Sequence, residues 1–205
     1  MKRLFSIILA LFSVISLAAC GNSKKAESSV SSTSFESSLS NTSVGKSLVV
    51  YFSATGNTKR AAEIIAEKTG ADIFEIEPSV PYSDSDLDYN NKDSRVYKEH
   101  ENKELQAVQL KKETPDNFSQ YDTVYIGYPI WWGVSAWPVD TFVERNDFKN
   151  KTVIPFCTSA SSEIGDSAKS LAQKAKYGNW RAGKRFSSSV GDNEIEKWIK
   201  EVKNK

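Results

Sequence analysis

The chain has 205 residues, and its 27 lysine and arginine residues nearly balance 26 aspartate and glutamate residues, for a formal net charge of +1. This balance argues against a nucleic-acid partner, which needs a strongly basic surface. The single histidine, His100, argues against a zinc site or a histidine-based catalytic triad, and no metal site is expected. We expect His100 to lie in solvent within a polar segment.

Residues 1–19 form a predicted signal peptide. A short basic start precedes an apolar segment over residues 4–19, which serines interrupt and which is too short for a comfortable membrane span. The segment ends in the sequence LAAC at residues 17–20, followed by glycine, and this resembles the lipobox of bacterial lipoproteins. The resemblance implies cleavage before Cys20 and a lipid on its sulfur. The alternative is an ordinary secreted protein.

Residues 20–45 are predicted to be the lipidated cysteine followed by a tether. The segment consists mostly of serine and threonine and has too few apolar residues to offset the entropy of ordering. The remaining residues, 46–205, suffice for one domain with a full core. We therefore expect the domain to lie on the extracytoplasmic face of the cell membrane, held by the lipid.

A buried strand and a hydroxyl-rich turn open the domain. Residues 48–52, LVVYF, are typical of a strand buried on both faces of a parallel sheet. The turn SATGNT follows at residues 53–58, and an amphipathic helical pattern begins directly after it. Free N–H groups at a helix start, together with hydroxyl donors, favour a bound phosphate. The same residues could instead simply cap the helix.

This turn resembles the phosphate loop of flavodoxins, in which a hydroxyl residue and any residue precede Thr-Gly-Asn-Thr. The resemblance implies that FMN is the cofactor and that this loop holds its 5′-phosphate. The residues implied are Ser53, Thr55, Asn57 and Thr58 through their side chains, and Ala54 and Gly56 through backbone N–H groups.

A long polar segment separates the second and third predicted strands. A strand is predicted within residues 71–78, and the polar residues 80–91 precede a helix-like stretch over 92–104. Enzyme-like members of the family often carry Pro-Tyr-Ser here beside the cofactor. The resemblance implies that Tyr82, with Tyr89 as a second candidate, lines the flavin. Alternatively, both tyrosines pack the segment onto the sheet edge.

The third predicted strand, residues 121–129, leads into two neighbouring tryptophans. Such large rings are costly to expose at the end of a parallel strand. In flavodoxins this second loop lays an aromatic ring against the isoalloxazine of FMN. The resemblance implies that one indole stacks on the flavin while the other packs inward, without indicating which. The residues placed at the flavin are Pro129, Ile130, Trp131, Trp132 and Gly133.

A third loop follows a short helix over 136–145 and a fourth strand over 151–157. The resemblance implies that its hydroxyl and N–H groups meet the pyrimidine edge of the flavin, at Thr158, Ser159, Ala160, Ser161 and Gly165.

Two residues near this loop carry separate expectations. Glu163 stands where a small residue is usual in the family, and its carboxylate either lowers the second reduction potential of FMN or points into water. Cys157 ends the fourth strand, and we expect a structural role rather than a redox thiol.

A last short strand within 180–188 and a helix over 192–202 complete a strand–helix alternation. The pattern predicts an α/β fold with a doubly wound five-stranded parallel sheet, flavodoxin-like, whose ligand lies at the topological switch point. The first functional hypothesis is a monomeric FMN-binding lipoprotein that exchanges electrons with redox proteins outside the membrane. The alternatives are an NAD(P)H-dependent quinone or azo reductase and a non-redox FMN-binding lipoprotein.

Overall fold

The computed structural model describes residues 45–204. The predicted signal peptide, Cys20 and the predicted tether lie outside the described residues.

One mainly parallel sheet forms the centre of the domain. Its order is β2-β1-β3-β5, and β6 and β7 both lie beside β5 in the outer position. All pairings are parallel except that of β3 with β4. The predicted doubly wound parallel sheet is thus confirmed. The strands are β1 (Lys46–Tyr51), β2 (Asp72–Glu75), β3 (Tyr121–Trp131), β4 (Val134–Ser135), β5 (Thr152–Thr158), β6 (Asn179–Trp180) and β7 (Lys184–Phe186).

Helices cover both faces of the sheet. On one face, the first and last helices pack against each other over a core that includes Tyr125 and Phe156. On the other face, the third and fourth helices and the long segment after β2 enclose a core that includes Val50 and Phe142. The helices are α1 (Asn57–Thr69), α2 (Arg95–Glu101), α3 (Trp137–Arg145), α4 (Ser167–Ala175) and α5 (Asp192–Lys203). Over residues 45–204, none of them combines the length and the apolar character that crossing a membrane requires.

The fifth strand position is divided because of a proline in its neighbour. The carbonyls of Lys151 and Val153 accept hydrogen bonds from N–H groups of the outer strand. Alternate residues of a strand face the same neighbour, so Pro155 also faces outward, and proline has no N–H to donate. The outer strand breaks opposite Pro155, at residues 181–183, and pairing resumes in β7.

The helix predicted over 92–104 is shorter in the structure. It ends at Asn102, whose backbone is extended and whose side chain accepts a hydrogen bond from the Glu104 N–H. A 3-10 turn over Lys103–Gln106 follows. The segment then returns to the sheet, where residues 77–79 and 109–111 exchange backbone hydrogen bonds.

The parallel strands place three loops at one edge of the sheet. The loops after β1, β3 and β5 all begin at carboxyl ends of neighbouring strands, and β1 and β3 flank the point where the strand order reverses. Ligands of doubly wound sheets bind in the crevice at this point. Gly45, the first described residue, precedes β1 and therefore lies at the opposite edge.

Candidate functional site

The first loop is built for a ligand that accepts hydrogen bonds. Gly56 caps α1 in the left-handed conformation, with φ of 86°, and a Cβ there would meet nothing within 4 Å. The Oγ of Ser53 is buried and has no hydrogen-bond partner among the described residues. A buried hydroxyl without a partner is costly, so an acceptor from outside the chain would satisfy it. Next to it, Asn57 Nδ2 donates to Thr55 Oγ1 over 3.2 Å.

The first and third loops are joined by a buried hydrogen bond. Thr58 and Thr158 are 1% and 3% exposed, and their hydroxyl oxygens lie 2.7 Å apart. Both residues were predicted at the cofactor. The structure places their side chains between the two loops, where they fix the spacing of the loops.

We expect Thr58→Val to lower the free energy of unfolding by about 1–2 kcal/mol, because it leaves the buried Thr158 hydroxyl without a partner. The double replacement with Thr158→Val should cost clearly less than the sum of the single replacements. Urea denaturation of the four proteins measures this coupling. Strict additivity would show that the two hydroxyls do not interact.

The second loop is a two-residue β-hairpin that displays Trp132. Trp131 pairs with Val134 across the antiparallel strands β3 and β4, and Trp132 and Gly133 form the turn with φ of 47° and 81°. Positive φ at both positions is typical of a type I′ turn, which favours asparagine and glycine. A bulky side chain in this conformation is strained, and such strain is found at ligand clamps.

The two neighbouring tryptophans have different environments. Trp131 is 1% exposed and packs edge-on against Phe52, Tyr82 and Trp137, with centroid distances of 5.1–5.6 Å. Trp132 is 37% exposed. The structure therefore assigns the inward position to Trp131 and leaves the Trp132 indole accessible.

His100 does not occupy the freely solvated position that was predicted. Its ring stacks on Trp132 with a centroid distance of 4.3 Å and an interplanar angle of 6°. Tyr89 and Tyr97 also contact the Trp132 ring, at 4.9 and 6.3 Å. Helix α2 therefore carries an aromatic surface to the second loop, which residue spacing along the sequence could not reveal.

Tyr82 lies beside the first loop in a buried polar network. Its hydroxyl donates to Glu99 over 2.7 Å, and Arg95 pairs with the same carboxylate while its guanidinium lies 3.9 Å from the Tyr82 ring centroid. Burial, followed by the hydrogen bond to Glu99, raises the pKa of Tyr82, so it remains a hydrogen-bond donor. The cavity next to this ring has a volume of about 210 Å³, and its walls include Phe52, Ser53, Ala54, Glu75, Glu77, Pro81 and Tyr82.

The third loop runs from the end of β5 to α4 and is held by Arg185, a residue that the sequence interpretation missed. Arg185 Nη2 donates to the carbonyls of Ser159 and Ala160 at 3.0 and 2.8 Å, and its Nε donates to Ser159 Oγ at 3.1 Å. Ser161, Glu163 and Gly165 are exposed. Only the pairing of β7 with β5 brings Arg185 here, so no local sequence signal could have identified it.

Cys157 is fully buried, and burial raises the pKa of its thiol to about 12. We expect it to resist alkylation at pH 8 in the native protein and to react once the chain is unfolded in urea. Peptide mapping by mass spectrometry separates its labelling from that of Cys20. Rapid labelling of native Cys157 would contradict a structural role.

The fold thus brings the predicted residues of all three loops to one edge of the sheet. Pro129 and Ile130 belong to β3 itself, directly before the hairpin. Across residues 45–204, no cluster of histidine, cysteine, aspartate and glutamate is suited to hold a metal ion.

Comparison with known proteins identifies related chains. The flavodoxin family model matches residues 46–202. A protein from Bacteroides eggerthii whose crystal structure is assigned as a flavoprotein is 40% identical, with 77% of this chain and 98% of that chain covered and a TM-score of 0.70. A second, from Bacteroides uniformis, is 39% identical, with 76% and 98% covered and a TM-score of 0.69.

A more distant structure is a flavoprotein from Lactobacillus acidophilus, solved in complex with FMN. It is 22% identical, with 76% of this chain and 99% of that chain covered and a TM-score of 0.49. Among curated proteins, none matches this chain.

Proposed function

The chain belongs to the flavodoxin family, and from this premise we propose that it is an FMN-binding lipoprotein that transfers electrons outside the cytoplasmic membrane. FMN is the cofactor, and it supplies the redox chemistry, accepting and donating electrons when bound. The protein binds the flavin, orients it and adjusts its reduction potentials.

The buried and unpartnered hydroxyl of Ser53 is the observation that carries this proposal. It lies in the loop that also presents the open Gly56 position and the start of α1. A phosphate there would accept from Ser53, from backbone N–H groups and from the hydroxyl of Thr55, and it would meet the positive end of the helix dipole. The residues present therefore fit the 5′-phosphate of FMN.

The environments of the other two loops fit the flavin ring. Trp132 offers an accessible indole face, and Trp131 holds the base of the hairpin in the core. Residues 159–165 supply N–H donors on the far side of the switch point. We infer that Trp132 is the stacking residue and that Tyr82, beside the cavity at Ser53, borders the chain between phosphate and ring.

The position of the chain start supports an anchored arrangement. Residue 45 lies at the edge of the sheet opposite the three loops, and β1 spans six residues, about 20 Å. A lipid on Cys20 would attach to that opposite side. The flavin would then remain accessible to partner proteins outside the membrane.

The first experiment is to purify the full chain, add FMN and record absorption and fluorescence. We expect shifted flavin bands, quenched fluorescence and reversible reduction by dithionite. Failure to bind FMN would overturn the proposal. Steady NADPH oxidation with a quinone as acceptor would favour the reductase alternative, and a bound flavin that cannot be reduced would favour the non-redox alternative.

The location is tested by Cys20→Ala in the producing bacterium. We expect the wild-type protein in the membrane fraction and the variant outside it, since the acylated sulfur is lost. A domain replacement such as Ser119→Ala, exposed at the opposite edge from the loops, serves as the control. Unchanged membrane association of Cys20→Ala would contradict lipidation.

A further inference from the structure

The third loop has its carbonyl groups occupied from within the protein. Arg185 hydrogen-bonds the carbonyls of Ser159 and Ala160. The hydroxyl of Ser159 donates to the carbonyl of Ser162, and both the N–H and the hydroxyl of Ser167 donate to the carbonyl of Ile164. Four of the loop's carbonyls thus face the protein.

The N–H groups of the same loop are left without acceptors. Ser159 N–H donates to Phe186, but the N–H groups of residues 160–165 have no acceptor among the described residues. A loop with satisfied carbonyls and free N–H groups presents donors outward. The pyrimidine ring of a flavin carries acceptor atoms along its edge, and this arrangement complements it.

We propose that Arg185 is a positioning residue that sets this orientation of the third loop and whose charge favours the reduced form of FMN. The inference rests on the proposed function. Three hydrogen bonds from one guanidinium fix the start of the loop, and arginine stays protonated at all physiological pH values. Reduction adds negative charge to the pyrimidine ring, so a fixed positive charge behind the loop stabilises the reduced state more than the oxidised one.

The neighbouring carboxylate acts in the opposite direction. Glu163 is exposed in the same loop, so solvent screens its charge. Arg185 is partly buried at the base of the loop and is less screened. The net local effect should therefore follow Arg185.

The test compares Arg185→Gln and Arg185→Lys in the full chain. For each we would measure FMN affinity, the midpoint potential and the thermal stability without FMN. Arg181→Gln is the matched control, because Arg181 lies on the same outer segment and is exposed. Its affinity and potential should match those of the wild type.

We expect Arg185→Gln to bind oxidised FMN about tenfold more weakly and reduced FMN about a hundredfold more weakly. The additional tenfold corresponds to a midpoint potential about 30 mV lower for a two-electron couple. Arg185→Lys should keep most of the potential, because the charge remains, but should show weakened affinity, because lysine cannot bond both carbonyls in the same way.

Unchanged affinity and potential in Arg185→Gln, with a wild-type protein that binds FMN, would overturn this inference and leave the proposed function intact. Equal losses for both redox states would overturn the electrostatic part. If Arg185→Gln does not fold, Arg185→Lys decides, since wild-type affinity in that variant contradicts the positioning role. A wild-type chain that binds no FMN would overturn both proposals.

Discussion

Replacing Trp131 with alanine is expected to lower the free energy of unfolding by about 3–5 kcal/mol, the range for deleting a large buried ring. The indole is 1% exposed and contacts Phe52, Tyr82 and Trp137 at once, so its loss opens a cavity beneath two of the loops. Urea denaturation of the protein without FMN measures the effect. A loss below about 1 kcal/mol would show that Trp131 is not the inward residue.

The neighbouring residue provides the matched comparison. Trp132→Asn should change the free energy of unfolding by less than about 1 kcal/mol, because asparagine suits the type I′ turn and the lost contact with His100 is at the surface. The same variant should bind FMN about tenfold more weakly through loss of stacking and apolar burial. Wild-type affinity in Trp132→Asn would remove this indole from the cofactor site.

Replacing Ser53 with alanine is expected to stabilise the protein without FMN and to weaken FMN binding. Its buried Oγ has no partner, so removing it should raise the free energy of unfolding by about 1 kcal/mol. A hydrogen bond to a phosphate contributes about 1.5–3 kcal/mol, so affinity should fall roughly 10- to 100-fold. Calorimetric titration with FMN and urea denaturation measure the two opposite effects.

Ser119→Ala is the control for this pair of measurements. Ser119 is exposed at the amino-terminal edge of the sheet, and its replacement should leave both stability and affinity unchanged. If Ser53→Ala destabilises the protein and binds FMN normally, the hydroxyl is a structural group rather than a phosphate donor.

The sheet and the positions of the three loops could be predicted because their signals are local. The apolar run at 48–52, the hydroxyl-rich turn after it and the paired tryptophans each stand in a short stretch of sequence. Parallel strands then bring their carboxyl ends together whatever the details of packing. The divided outer strand also had a local signal, since Pro155 is visible within the predicted fourth strand.

The features that could not be predicted depend on residues far apart in the chain. Arg185 reaches the third loop through strand pairing, and His100 reaches Trp132 through the return of a long segment. The hairpin at Trp132 was hidden for another reason, because tryptophan is not a residue that normally indicates a turn. Its strained backbone makes sense only once the displayed ring has a ligand to meet.

The interruption opposite Pro155 has a consequence for crowded surfaces. An open sheet edge can recruit a strand from a neighbouring molecule, and long regular edges do so most readily. Here the outer edge offers strands of only two and three residues, separated by a gap. Molecules concentrated in two dimensions by a lipid would therefore find little continuous backbone on that side to pair with, and could stay dispersed while diffusing past one another.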